Sequence, residues 1–151
     1  MINRIDVKKA VYAYEDSIIQ NIKKVLSYQF PPETDTVLFE VHSGEYGIYG
    51  ISITPMSDGE EINYSRIQTL LDEVQIRIKL DKFIDPNDDY INRIDRLDHI
   101  VFELIIPFFS ECFDIATDRP SRIQFYIRTH EADDVLNLQN KTWVEIEDLY
   151  E

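Results

Sequence analysis

An α+β domain is what this sequence predicts, and three observations predict it. Two long segments repeat apolar residues at steps of three and four, the mark of helices with one buried stripe. Two neighbouring segments, and a third much later, alternate apolar and polar residues as half-buried strands do. At 151 residues the chain suits one domain and is short for two. The expected architecture is a small antiparallel sheet packed on a long N-terminal helix and a long central helix, with residues 1–151 as a single unit. A hairpin over about 36–54 and a strand over about 122–128 would make the sheet.

The first helix is expected over residues 4–28, where Val7, Val11, Tyr14, Ile18, Ile22, Val25 and Leu26 fall on one stripe. Pro31 and Pro32 stop it, because proline lacks the donor and disfavours helical geometry before it. In the hairpin, Val37, Phe39 and Val41 alternate with Leu38, Glu40 and His42. After Ser43-Gly44-Glu45-Tyr46-Gly47, residues Tyr49, Ile51 and Ile53 alternate with Ile48, Gly50 and Ser52. Pro55 and Ser57-Asp58-Gly59 end the second strand.

Residues 64–80 support two templates. Ile67, Leu70, Leu71, Val74 and Ile78 fit a helix, while Val74, Ile76, Ile78 and Leu80 alternate. A helix from about Tyr64 to Glu73 is preferred, with the remainder left open. Asp85-Pro86-Asn87-Asp88-Asp89 then signals a helix start, since aspartate caps exposed N–H groups and suits the positive end of the dipole. The central helix is expected to reach about Ile115 on a stripe of Ile94, Leu97, Val101, Leu104, Ile105, Phe108 and Cys112. Phe102, Ile106, Phe109 and Phe113 widen that surface, and Pro107 should kink or break the helix. Thr117 to Pro120 read as a turn, and Ile123, Phe125 and Ile127 alternate as the third strand. Beyond Glu131, Val135, Leu136 and Leu138 suggest one short packed piece. Trp143, Val144, Ile146 and Leu149 suggest another of open type.

An apolar share of 44%, with nine Tyr and eight Phe, supplies a core without cross-links. The one cysteine, Cys112, sits in an apolar run and can build neither a disulfide framework nor a zinc site alone. The longest apolar run, Leu104 to Phe109, is far below a membrane span, and the N-terminus lacks the apolar stretch of a secretory signal. A reducing cytoplasm is therefore the expected compartment. The net charge of −14 is uneven: acids dominate residues 31–118 and 131–151, whereas 119–130 hold three Arg and no acid. Such a field repels phosphate backbones and disfavours direct binding of nucleic acid or an anionic membrane. A basic protein is the favoured kind of partner.

Catalytic signatures are missing. His42, His99 and His130 show no metal-ligand spacing, and each reads as a surface or half-buried polar residue. Asp85, Asn87 and Asp89 imitate the start of a calcium loop, but Tyr90 stands where glycine is needed and Arg96 where glutamate is needed. There is no nucleophile elbow, phosphate cradle or dinucleotide fingerprint. Two sequons, at Asn63 and Asn140, carry no meaning without export. No cofactor, metal site or catalytic residue is expected.

What remains is surface character. The acids Asp58, Glu60, Glu61, Asp85, Asp88, Asp89, Asp133, Asp134, Glu145, Glu147 and Asp148 are accompanied by Tyr46, Tyr64, Tyr90, Trp143 and Tyr150. Carboxylates beside aromatics suit capture of a basic protein: charge speeds encounter and the rings, Trp143 foremost, hold the complex. The competing account is that Trp143 and most tyrosines fill the core. The helix at 4–28, the strands Val37–Val41 and Tyr49–Ile53, and the acidic C-terminus together resemble the small acidic immunity proteins that protect bacteria from polymorphic toxins, often nucleases. The resemblance rests on element order, size and charge, so it transfers no individual residue. It implies a stoichiometric, non-enzymatic inhibitor covering the basic site of a toxin. Arg119, Arg122 and Arg128 interrupt the acidity. Two alternatives stay open: an enzyme or metal protein with a site assembled from scattered Asp, Glu and His, recognisable by a polar pocket holding at least two histidines or several converging carboxylates, and an acidic mimic of nucleic acid.

Overall fold

The computed structural model describes residues 2–84 and 90–150, and within them the alternating segments become strands of one sheet. β1 (Thr36–Ser43) and β2 (Ile48–Ser57) pair antiparallel in a register running from Thr36 opposite Met56 to Ser43 opposite Tyr49. Val37, Phe39 and Val41 face the helices, as do Tyr49, Ile51 and Ile53. The opposite face carries Leu38, Glu40, His42, Gly50 and Ser52. Glycine is required at the connection between these strands, because a Cβ on Gly44 would lie 2.7 Å from the Ile48 carbonyl oxygen and Gly47 has φ of 75°.

The sheet is larger than expected and not wholly antiparallel. Its seven strands add β3 (Glu60–Glu61), β4 (Ile76–Lys79), β5 (Gln124–Thr129), β6 (Asp134–Asn137) and β7 (Trp143–Glu145). The order is β3-β2-β1-β5-β6-β7, with β4 on the same edge of β2 as β3. β1 and β5 run parallel, Thr36 beside Gln124 through Val41 beside Thr129. A parallel neighbour requires a long crossover, and the helices between residues 68 and 116 provide it.

The single long N-terminal helix is corrected to two: α1 (Arg4–Tyr12) and α2 (Glu15–Ser27). Tyr14, at φ −88° and ψ 4°, breaks the ladder, and its hydroxyl accepts the Lys79 amide of β4 at 3.1 Å. That anchor satisfies a strand-edge donor, while Glu15 and Asp16 suit the new helix N-terminus. The apolar stripe survives because Val7, Val11, Ile18, Ile22 and Val25 are all buried on the same core. Residues 64–80 use both templates in turn. A 3₁₀ turn at Tyr64–Arg66 leads into α3 (Gln68–Glu73), and the open remainder is strand β4, with Ile76 and Ile78 inward. α4 (Tyr90–Ala116) runs through Pro107 without a break. Pro107 lies on the exposed side, where water can satisfy the backbone carbonyl it leaves free. No helix among the described residues is long and apolar enough to cross a membrane.

α1, α2 and α4 cover one face of the sheet and enclose the main core. Cys112 lies inside it at 1% exposure, and burial pushes its thiol up to about 12. Only about one thiol in ten thousand is then ionised at pH 8, and the thiolate is the reactive form. Folded protein should therefore resist a thiol-specific disulfide reagent at pH 8 and react fully once unfolded in guanidinium. Rapid labelling of native protein would contradict this packing.

Candidate functional site

The other face of the sheet is half covered and half open. Beyond β7, a 3₁₀ turn at Ile146–Leu149 crosses that face as a strap. Val144, Ile146 and Leu149 pack with Tyr126 on a small cluster of Leu38, Met56 and Val135. The Ile146 amide donates to the Asp133 carbonyl at 2.7 Å, and the Tyr150 hydroxyl reaches the Glu61 carboxylate at 3.4 Å. Burial raises the Tyr150 pKa, and the nearby Glu61 charge adds to the shift.

The strap gathers several of the acids singled out from sequence. Asp58 and Gly59, both at positive φ, turn β2 into β3, and the Asp58 amide is held by the Asp35 carboxylate at 2.8 Å. This sets Glu60 and Glu61 on the sheet edge, Glu61 beside the strap that carries Glu147 and Asp148. At the far edge, Asp134 lies directly opposite Glu145, with Asp133 next to it. All nine of these acids and anchors in the described residues, from Asp58 to Asp148 and including Trp143, are exposed. Like charges directly across a strand pair cost stability, so Asp134 and Glu145 are not there to stabilise the sheet. Asp85, Asp88 and Asp89 lie outside the described residues.

Trp143 is half exposed at 56%, against the alternative that it fills the core. It pairs with Leu136, an inward residue, and so stands on the helix side of β7 rather than with the strap. There it lines a shallow apolar groove with Phe102, Ile106 and Pro107 of α4. Lys141 fixes that edge, donating to Ser110 Oγ at 2.8 Å and Asp114 Oδ1 at 2.7 Å. Tyr46, Tyr64 and Tyr150 are also exposed, at 61%, 62% and 42%.

The open half of the outer face holds residues that were not read as a group. Glu40 lies between β5 and β2, its side chain only 14% exposed. Arg128 Nε and Nη2 both donate to Glu40 Oε2, at 2.7 and 2.6 Å, and Nη1 donates to the Ala132 carbonyl at 2.8 Å. The other oxygen, Oε1, lies 3.0 Å from His130 Nδ1 and 3.1 Å from His42 Nε2. The two imidazole rings are 4.5 Å apart, centroid to centroid. Burial acts to raise the Glu40 carboxyl, but hydrogen bonds from His130 and Arg128 and the Arg128 charge outweigh it. The carboxyl is held below its ordinary range. All three histidines are half-buried or exposed, as expected, but two of them converge, which the sequence did not predict. His99 stays apart, paired with Glu103 one turn along α4 at 3.1 Å. The only hint in the sequence was Glu40 and His42 two apart on one strand face; His130 joins them through a parallel pairing that no local pattern announces.

No protein-family model, curated protein or solved structure matches this chain.

Proposed function

We propose that this chain is a non-enzymatic binding protein of the immunity type, a cytoplasmic inhibitor that covers the basic site of a partner toxin. One observation carries the reading: the C-terminal strap crosses the sheet and joins Glu147 and Asp148 to the β3 edge through Tyr150 and Glu61, making one acidic surface from segments far apart in sequence. A net charge of −14 speeds encounter with a cationic partner, and exposed Tyr150 on the strap offers a ring to hold it. Resemblance to the small acidic immunity proteins names the partner class, a toxin whose nucleic-acid site is basic.

Calorimetric titration against the purified products of the two genes flanking this one tests the proposal. One basic product should bind with 1:1 stoichiometry, and affinity should fall as salt is raised. Replacing Glu60, Glu147 and Asp148 together by lysine should leave the fold intact, since all three are exposed, and weaken binding by at least about tenfold at low salt. Neither product binding, or binding indifferent to salt and to the three substitutions, would refute it.

A further inference from the structure

We propose that Glu40, His42 and His130 form a binding site for one divalent transition-metal ion of the zinc type on the open half of the outer sheet face. This is a metal site of the kind the sequence left open as an alternative, and it is tested separately from partner binding.

Three donor atoms converge there, all within 4.8 Å of one another: Glu40 Oε1, His42 Nε2 and His130 Nδ1. Zinc bonds of about 2.0–2.2 Å to nitrogen and oxygen place donor atoms roughly 3.3–3.5 Å apart around a tetrahedral ion. The two edges to Glu40, 3.0 and 3.1 Å, already approach that spacing, the third lies within 4.8 Å, and both rings are exposed enough to swing outward slightly. Two imidazoles and one carboxylate select a zinc-type ion over magnesium or calcium, which take oxygen donors.

The backbone prepares this geometry. Glu40 and His42 share a face because they are two apart on β1. His130 is drawn beside them by the parallel β1–β5 register and by its own amide, which donates to the Val41 carbonyl at 2.8 Å. Arg128 occupies only Oε2 of Glu40 and leaves Oε1 facing the histidines, the kind of outer support that orients a ligating carboxylate. On the far side of His130, Nε2 lies 3.7 Å from Glu131. The guanidinium charge also opposes a dication and so weakens the site.

A fourth position faces solvent next to Ser52, whose hydroxyl is 3.0 Å from His42 Nε2. Beside it runs a groove lined by Gly44, Ile48, Gly50 and Arg77. A Cβ on Gly50 would meet nothing within 4 Å, so water or a small anionic donor has room to complete the shell. Among the described residues the remaining candidates lack this arrangement: Cys112 is sealed in the core, and His99 is paired with Glu103.

Calorimetric titration of the chelator-treated chain with zinc chloride, together with histidine side-chain NMR, tests the assignment. One equivalent should bind, with the ring signals of His42 and His130 shifting and that of His99 still. His42→Asn and His130→Asn should each weaken binding by about a hundredfold or more, a ligand loss being at least as costly as loss of an outer-shell partner. His99→Asn should bind like the parent. Both ligand positions lie on the solvent face, so circular dichroism should be unchanged. No uptake at millimolar zinc, or equal uptake by the two ligand variants, would overturn the site.

Discussion

Phe39→Ala should cost about 3–5 kcal/mol, the usual range for truncating a fully buried phenylalanine. Phe39 is 0% exposed and is where three elements meet. Its ring lies 4.9 Å from Phe109 of α4 and 6.2 Å from Phe125 of β5, and Phe125 in turn lies 5.5 Å from Phe113. Removing it opens a void between the sheet and α4 that rigid β-strand neighbours cannot close. Against a typical total stability of about 5–15 kcal/mol, this is a large fraction. Urea unfolding should show a strongly lowered midpoint with the slope preserved. A loss below about 1 kcal/mol would mean that the ring cluster does not hold sheet and helix together.

Arg128→Met should cost about 2–3 kcal/mol at neutral pH, less than the roughly 3–5 kcal/mol for breaking a fully buried pair because both side chains keep about 15% exposure. The methionine retains the apolar packing of the arginine stem, so the loss comes from the polar groups the guanidinium served, chiefly Glu40 and also the Ala132 carbonyl. Its carboxylate is taken largely out of water and relies on two charge-assisted bonds from this one guanidinium. Glu40→Gln tests the cause. With that substitution already in place the charge is gone, and the same Arg128→Met change should cost appreciably less, giving a coupling energy of about 1 kcal/mol or more in a double-mutant cycle. Additive effects would show that the pair is a surface contact without consequence for folding.

The legible parts of the fold share a cause. Alternation in Val37–Val41 and Tyr49–Ile53 identified the strands and their inward faces, and the stripe from Leu97 to Cys112 identified the central helix, because burial of one face imposes its period on adjacent residues. The same logic ran out at Tyr14, where a break in the ladder leaves the stripe unchanged and the side chain bonds Lys79, 65 positions away. It ran out at Ile76–Lys79 too, where an amphipathic helix and a half-buried strand fit the same residues until β2 offers an edge.

Sequence by itself determined the α+β class, the excess of acid and the absence of any familiar catalytic motif. Tertiary structure alone decided that β1 and β5 run side by side in parallel, which puts His130 and Arg128 on Glu40, and that the chain's last turn lies across Leu38 and Met56. Faces of elements follow from local periodicity, whereas neighbours across a sheet follow from how the whole chain closes around its core. A contact between residues 90 positions apart leaves no mark on the residues near either of them.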